Sequence, residues 1–167
     1  MKRFVRLGFA ICLGLAAVLL AAGLVAAAGP PATCTAALTI ATTSVGDVGT
    51  AGQVTHYRDS GVAGAYASGP LAGYTFSGAQ DIMVNNATQQ SELQGQYTAT
   101  GPGGTLTIRY TGHADLTTGA ATGHFVATDG TGQFAGFHWE GDIAAQLVAA
   151  APPTFQATDS GPCHTGG

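Results

Sequence analysis

The sequence predicts an all-β domain, an eight-stranded antiparallel up-and-down barrel preceded by an N-terminal signal helix. Three observations predict it. Apolar and polar residues alternate with a period of two along most of the chain beyond residue 30. Glycine-rich turn signals punctuate that alternation at hairpin spacing. No segment beyond residue 30 carries a sustained 3.6-residue apolar stripe. A β-sandwich is the alternative all-β solution.

The N-terminal segment sets the compartment. Met1, Lys2, Arg3 and Arg6 form a short basic region, followed by an apolar run from Leu7 to about Leu24. Ala26-Ala27-Ala28 then supplies the small residues of a signal peptidase site. This layout predicts a secretory signal over residues 1–28 and a mature domain over residues 29–167. An uncleaved signal anchor is the alternative, because the run approaches the ~18 to 20 residues that span a bilayer. The predicted location is extracytoplasmic, with membrane attachment only through an uncleaved signal.

Charge narrows the partners. Beyond the signal, Arg58 and Arg109 are the only Lys or Arg residues, against all nine Asp and Glu, giving a formal charge of −7. Phosphate backbones require clustered cations, so nucleic acid is excluded as a partner class. Charged residues are only 8% of the chain, yet Phe, Tyr, Trp, Ile, Leu and Val recur throughout, so a core can form. The 26 glycines then read as turns and bulges between short strands.

The clearest strand is Thr105–Thr111. Leu106, Ile108 and Tyr110 share one face, and Thr105, Thr107, Arg109 and Thr111 share the other. Gly101-Pro102-Gly103-Gly104 turns into it from a strand holding Leu93, Tyr97 and Ala99. Thr117-Thr118-Gly119 leads out to a strand with His124, Phe125 and Val126, and Asp129-Gly130-Thr131-Gly132 forms the next tight turn. A long strand from about Phe137 to Val148 places Trp139, Ile143, Ala145 and Leu147 in one phase. Earlier strands are predicted at Ala36–Thr42, Gln53–Asp59, Tyr74–Gly78 and Asp81–Asn86. Residues 60–70 read as an irregular strand or a loop, and the residues after the last predicted strand as a short C-terminal tail.

With Cys12 inside the signal, Cys34 and Cys163 remain, near the two ends of the mature chain. An even pair in an oxidising compartment predicts one disulfide, with two free thiols as the alternative. The disulfide would place the first strand beside the C-terminal tail and favours a barrel over a sandwich. About eight short strands also need their edges hidden, which closure achieves.

Thr122-Gly123-His124-Phe125 running into Gly130-Thr131-Gly132-Gln133-Phe134-Ala135-Gly136 resembles a hairpin of bacterial proteins similar to the allene oxide cyclase and dirigent barrels. Gly95-Gln96-Tyr97-Thr98 and Gly103-Gly104-Thr105-Leu106-Thr107 resemble the hairpin that precedes it. The resemblance covers residues 72–148. It implies an eight-stranded barrel, often a homo-oligomer, whose apolar interior can hold a small hydrophobic molecule. Some relatives cyclise or couple such molecules. No catalytic motif of those enzymes matches here, so no catalytic residue is carried over.

Candidate chemistry is sparse. His138, Glu140 and Asp142 share one face of the last predicted strand, where His138 and Glu140 are the best metal or acid-base candidates. A solvated outer face is the simpler account of them, so they are weak candidates, and their spacing calls for no metal or cofactor. His56 can face either way; pointing inward it would join Tyr97 and Tyr110 as polar groups in an apolar lumen. Phe125 and Trp139 complete the ligand-binding candidates, although aromatics also serve simply to fill small barrels. The Gly130-Thr131-Gly132 stretch lacks the Lys and the helix of a phosphate loop. The leading expectation is a secreted barrel that binds a small hydrophobic molecule or acts as a surface interaction module, without catalysis. An extracytoplasmic cyclase or isomerase and a structural envelope protein with a filled core are the alternatives.

Overall fold

The computed structural model describes residues 31–166, so the expected signal helix and its cleavage site lie outside the described residues. The chain forms β1 (Ala32–Ser44), β2 (Asp47–Ala51), β3 (Val54–Tyr66), β4 (Thr75–Asn85), β5 (Gln90–Gly101), β6 (Gly104–Asp115), β7 (Ala120–Thr128), β8 (Phe137–Ala150) and β9 (Pro153–Thr165). Each of β3 to β8 pairs antiparallel with the next. β9 returns to β1, and β1 pairs with β3, which closes the sheet. The result is a closed eight-stranded antiparallel barrel with β2 as an extra strand extending β3 beyond the β1 pairing. Closure leaves no long edge exposed to template aggregation. Among the described residues no helix is long and apolar enough to cross a membrane.

The eight barrel strands match the expected number for partly different reasons, and β2 is an additional strand that the sequence reading did not predict. Tyr74–Gly78 and Asp81–Asn86, expected as two strands, belong to the single strand β4. Residues 60–66, left open between strand and loop, continue β3. The C-terminal stretch expected as a short tail is instead β9, thirteen residues long and paired on both sides. Its alternation of Ala157, Asp159, Gly161 and Cys163 inward is built from small or polar residues, which gives a weak apolar signal.

Cys34 on β1 and Cys163 on β9 form a disulfide with their Cα atoms 5.7 Å apart. The two strands are in register from Ala32↔Cys163 to Ala41↔Thr154, so the bond lies across the seam between first and last strands.

The interior divides into two halves. At the end holding the loops before β4 and β8, aromatic side chains fill the barrel. Phe76 stacks on Tyr97 at 4.3 Å, and Phe125 meets Trp139 edge-on at 4.7 Å. Leu106 and Ile108 between them are fully buried. Single 3-10 turns at Gly69–Leu71 and Gly132–Phe134 insert Leu71 and Phe134 as a cap. Tyr74 ties that cap together, its ring edge-on to Phe134 and its oxygen accepting from the Gly103 amide at 2.7 Å. Toward the opposite end most inward residues are aliphatic or small, Tyr57 and Phe155 excepted, and the barrel stays open.

Candidate functional site

The open half is a cavity of about 360 Å³. Its walls come from alternate residues of neighbouring strands, as the pleat requires: Ile40 on β1, Ile82 and Val84 on β4, Leu93 on β5, Ala114 on β6 and Ile143 on β8. Among the described residues, none that lines it is charged. Val45 and Leu116 line the mouth while remaining 67% and 41% exposed, so the lip of the cavity is itself apolar.

Polar groups gather where the cavity meets the filled half. Ser60, Gln80, Gly95 and Tyr110 are successive cross-strand partners on β3, β4, β5 and β6. The Tyr110 hydroxyl donates to Gln80 Oε1 at 2.9 Å, and Gln80 Nε2 donates to Thr42 Oγ1 at 3.4 Å. Ser60 is buried, and its oxygen accepts from the Gly46 amide at 3.3 Å. Burial raises the Tyr110 phenol well above its usual range, which keeps it a neutral donor.

Beneath this row lies a second polar cluster. Tyr66 donates to Asp159 Oδ2 at 3.2 Å, and the hydroxyls of Tyr66 and Tyr97 are 2.7 Å apart. Asp159 is 1% exposed and sits opposite the cavity-lining Ile143. Burial pushes its carboxyl up to about 7, against a partial opposing effect of the Tyr66 hydrogen bond. Burial and the Asp159 charge likewise raise both phenols, so Tyr66 and Tyr97 remain protonated.

The ligand candidates from sequence separate. Tyr110 lines the cavity. Tyr97 is buried beneath it and reaches the Asp159 cluster through Tyr66. Phe125 and Trp139 pack on each other in the filled half, where neither lines the cavity. The Trp139 indole N–H is buried without a hydrogen-bond partner among the described residues.

His56 lies on the outer face, where its Nδ1 accepts from Arg58 Nε at 3.2 Å. The cause is a bulge. Tyr57 pairs with Ile82 and Ser60 with Gln80, so three steps on β3 oppose two on β4. Asp59 takes the left-handed conformation there, at φ 52°, and its amide donates to Asp81 Oδ1 at 2.9 Å. The extra residue turns Tyr57 into the cavity and His56 out of it.

His138 and Glu140 also lie on the outer face, with His138 Nε2 3.5 Å from Glu140 Oε2. Cross-strand pairing adds His164, whose ring is 5.4 Å from that of His138. His124, which has no carboxylate beside it in sequence, meets Asp142 across β7 and β8 at 3.6 Å. Among the described residues no three His, Cys, Asp or Glu side chains are grouped to hold a metal ion.

Sequence reasoning missed Ser60, Gln80 and Asp159. Gln80 lies between two predicted strands, Ser60 in the stretch that reads as irregular strand or loop, and Asp159 in the predicted tail. The period-2 series Ala157, Asp159, Gly161, Cys163 was the available signal for the last. No family model, curated protein or solved structure matches this chain.

Proposed function

We propose that this protein is an extracytoplasmic barrel that binds a small, mostly apolar molecule in its open half. One observation carries this reading: aromatics pack one half of the barrel solid, while the other half keeps an uncharged cavity of about 360 Å³ with an apolar lip. Small-molecule sites typically combine such an apolar enclosure with a few convergent polar groups. The disulfide and the signal-like N-terminus support an oxidising, extracytoplasmic setting. A closed eight-stranded barrel is the architecture that the resemblance to the allene oxide cyclase and dirigent barrels implies.

The test is uptake of naphthalene by the purified protein, followed by calorimetry, with Ala121→Trp as the blocked variant. Ala121 lines the cavity, so an indole there occupies it. Saturable binding by the parent and loss in the variant support the reading. A folded parent that takes up no naphthalene would leave the cavity without a function.

A second reading, isomerisation of a bound molecule, is favoured by the buried Asp159 carboxyl with its two tyrosines. A carboxyl that titrates at about 7 can exchange a proton near neutrality. In this reading Asp159→Asn abolishes turnover while leaving naphthalene uptake intact.

A further inference from the structure

We infer that the cavity selects neutral molecules carrying one hydrogen-bonding group, bound with that group inward on the Ser60–Gln80–Tyr110 row. This rests on the proposal that the open half binds a small apolar molecule, and it specifies that molecule's polarity and orientation.

The row has hydrogen-bonding capacity to spare. Tyr110 spends its proton on Gln80, leaving its own oxygen free to accept. Ser60 accepts from the Gly46 amide, leaving its hydroxyl proton free to donate. A ligand hydroxyl can therefore donate to one and accept from the other. The walls toward the mouth are mostly apolar, Tyr57 and Ser91 excepted, and match the remainder of such a molecule. At ~30 Å³ for a water-sized group, the space suits about a dozen non-hydrogen atoms.

Charge enforces the selection. Arg58 and Arg109 are both on the outside, bonded to His56 and Gln96, so among the described residues an anionic head finds no counter-charge within. A buried ion without a partner is strongly disfavoured. A cationic head fares no better, because no lining residue is anionic. Asp159 lies beneath the row with its carboxyl engaged by Tyr66, and burial favours its neutral form.

Four ten-carbon probes test this by calorimetry at pH 6, where Asp159 is mostly protonated while decanoate and decylamine are both charged: decane, decanol, decanoate and decylamine. Decanol is expected to bind at least ~10-fold more tightly than decanoate or decylamine, since an unpaired buried charge costs more than one tenfold step. Ser60→Ala and Tyr110→Phe are each expected to weaken decanol about threefold to tenfold and to leave decane unchanged. Both variants keep the backbone, and circular dichroism checks their folding. Decanoate or decylamine binding as tightly as decanol overturns the inference. So does a decane affinity that falls with decanol in both variants. Failure of all four probes, decane included, defeats the cavity reading itself.

Discussion

Tyr110 and Gln80 stand on strands that do not pair, yet the phenol donates to the amide oxygen at 2.9 Å. The residue between them in the row is Gly95, on β5. A Cβ there would lie 2.6 Å from the Tyr110 oxygen, closer than side chains tolerate, so glycine makes the crossing possible. That single omission of a side chain fixes the height of the cavity floor.

Gly95→Ala is therefore expected to destabilise the barrel by about 1–3 kcal/mol, the usual cost of overpacking. In a Tyr110→Ala background the ring is gone and the same change should cost less, although the Ala79 carbonyl remains 2.8 Å from the new Cβ. Urea unfolding of the four proteins of this cycle measures the coupling. Equal costs in the two backgrounds would mean that Gly95 serves some purpose other than making room for Tyr110.

Asp159 links stability to pH. Its carboxyl titrates at about 7 in the folded chain against an ordinary 3.8, so the folded state holds the proton more tightly. Stability then falls as pH rises from about 4 to about 7 and levels off above that. At ~1.4 kcal/mol per unit the loss is on the order of a few kcal/mol. Asp159→Asn cannot ionise and should be less sensitive to pH across this window. Parallel unfolding curves at pH 5 and pH 8 decide it: an unchanged pH response in the variant rules out Asp159 as the source.

The two halves of the barrel should respond differently to truncation. Leu106 is fully buried in the packed half, and Leu106→Ala is expected to cost about 2–5 kcal/mol through lost burial and a new void. Leu93 faces the cavity and is only partly buried, so Leu93→Ala should cost less, roughly 1–2 kcal/mol. Chemical denaturation of the pair would contradict the division if the two losses were equal.

Reduction of Cys34–Cys163 opens a loop of 129 residues. In the chain-entropy account this lowers stability by roughly 5 kcal/mol. Urea midpoints with and without reductant, compared with Cys34→Ala/Cys163→Ala, test it. A midpoint insensitive to reductant would show that strand pairing alone holds the seam.

How much of this was legible depended on how regular each strand is. β6 alternates without interruption, and its inward face, from Leu106 to Tyr110, follows directly from the residue types. The cysteine pairing was likewise readable from count and position. His56 was not, because a bulge shifts phase by one residue and Arg58-Asp59 carries no glycine to announce it. β9 hides its pattern because Ala157, Asp159 and Gly161 present little apolar contrast with the threonine, serine and proline residues between them. The polar row escaped notice for a related reason: Ser60, Gln80 and Tyr110 are far apart in sequence and meet only through cross-strand register.

The pairing and the bond at the seam make the sheet an endless belt. Ala32 already lies opposite Cys163, so in a barrel taken from Ala32 to Thr165 a short bridge can join the first and last strands where they stand. The chain could then be opened at the turn between β4 and β5, on the mouth side, and numbered from Gln90. Each barrel strand would keep its neighbours, and the cavity would keep its walls. The order in which the strands are synthesised is therefore separable from the arrangement they reach, and such a rearranged gene is a direct route to placing a fused partner beside the mouth.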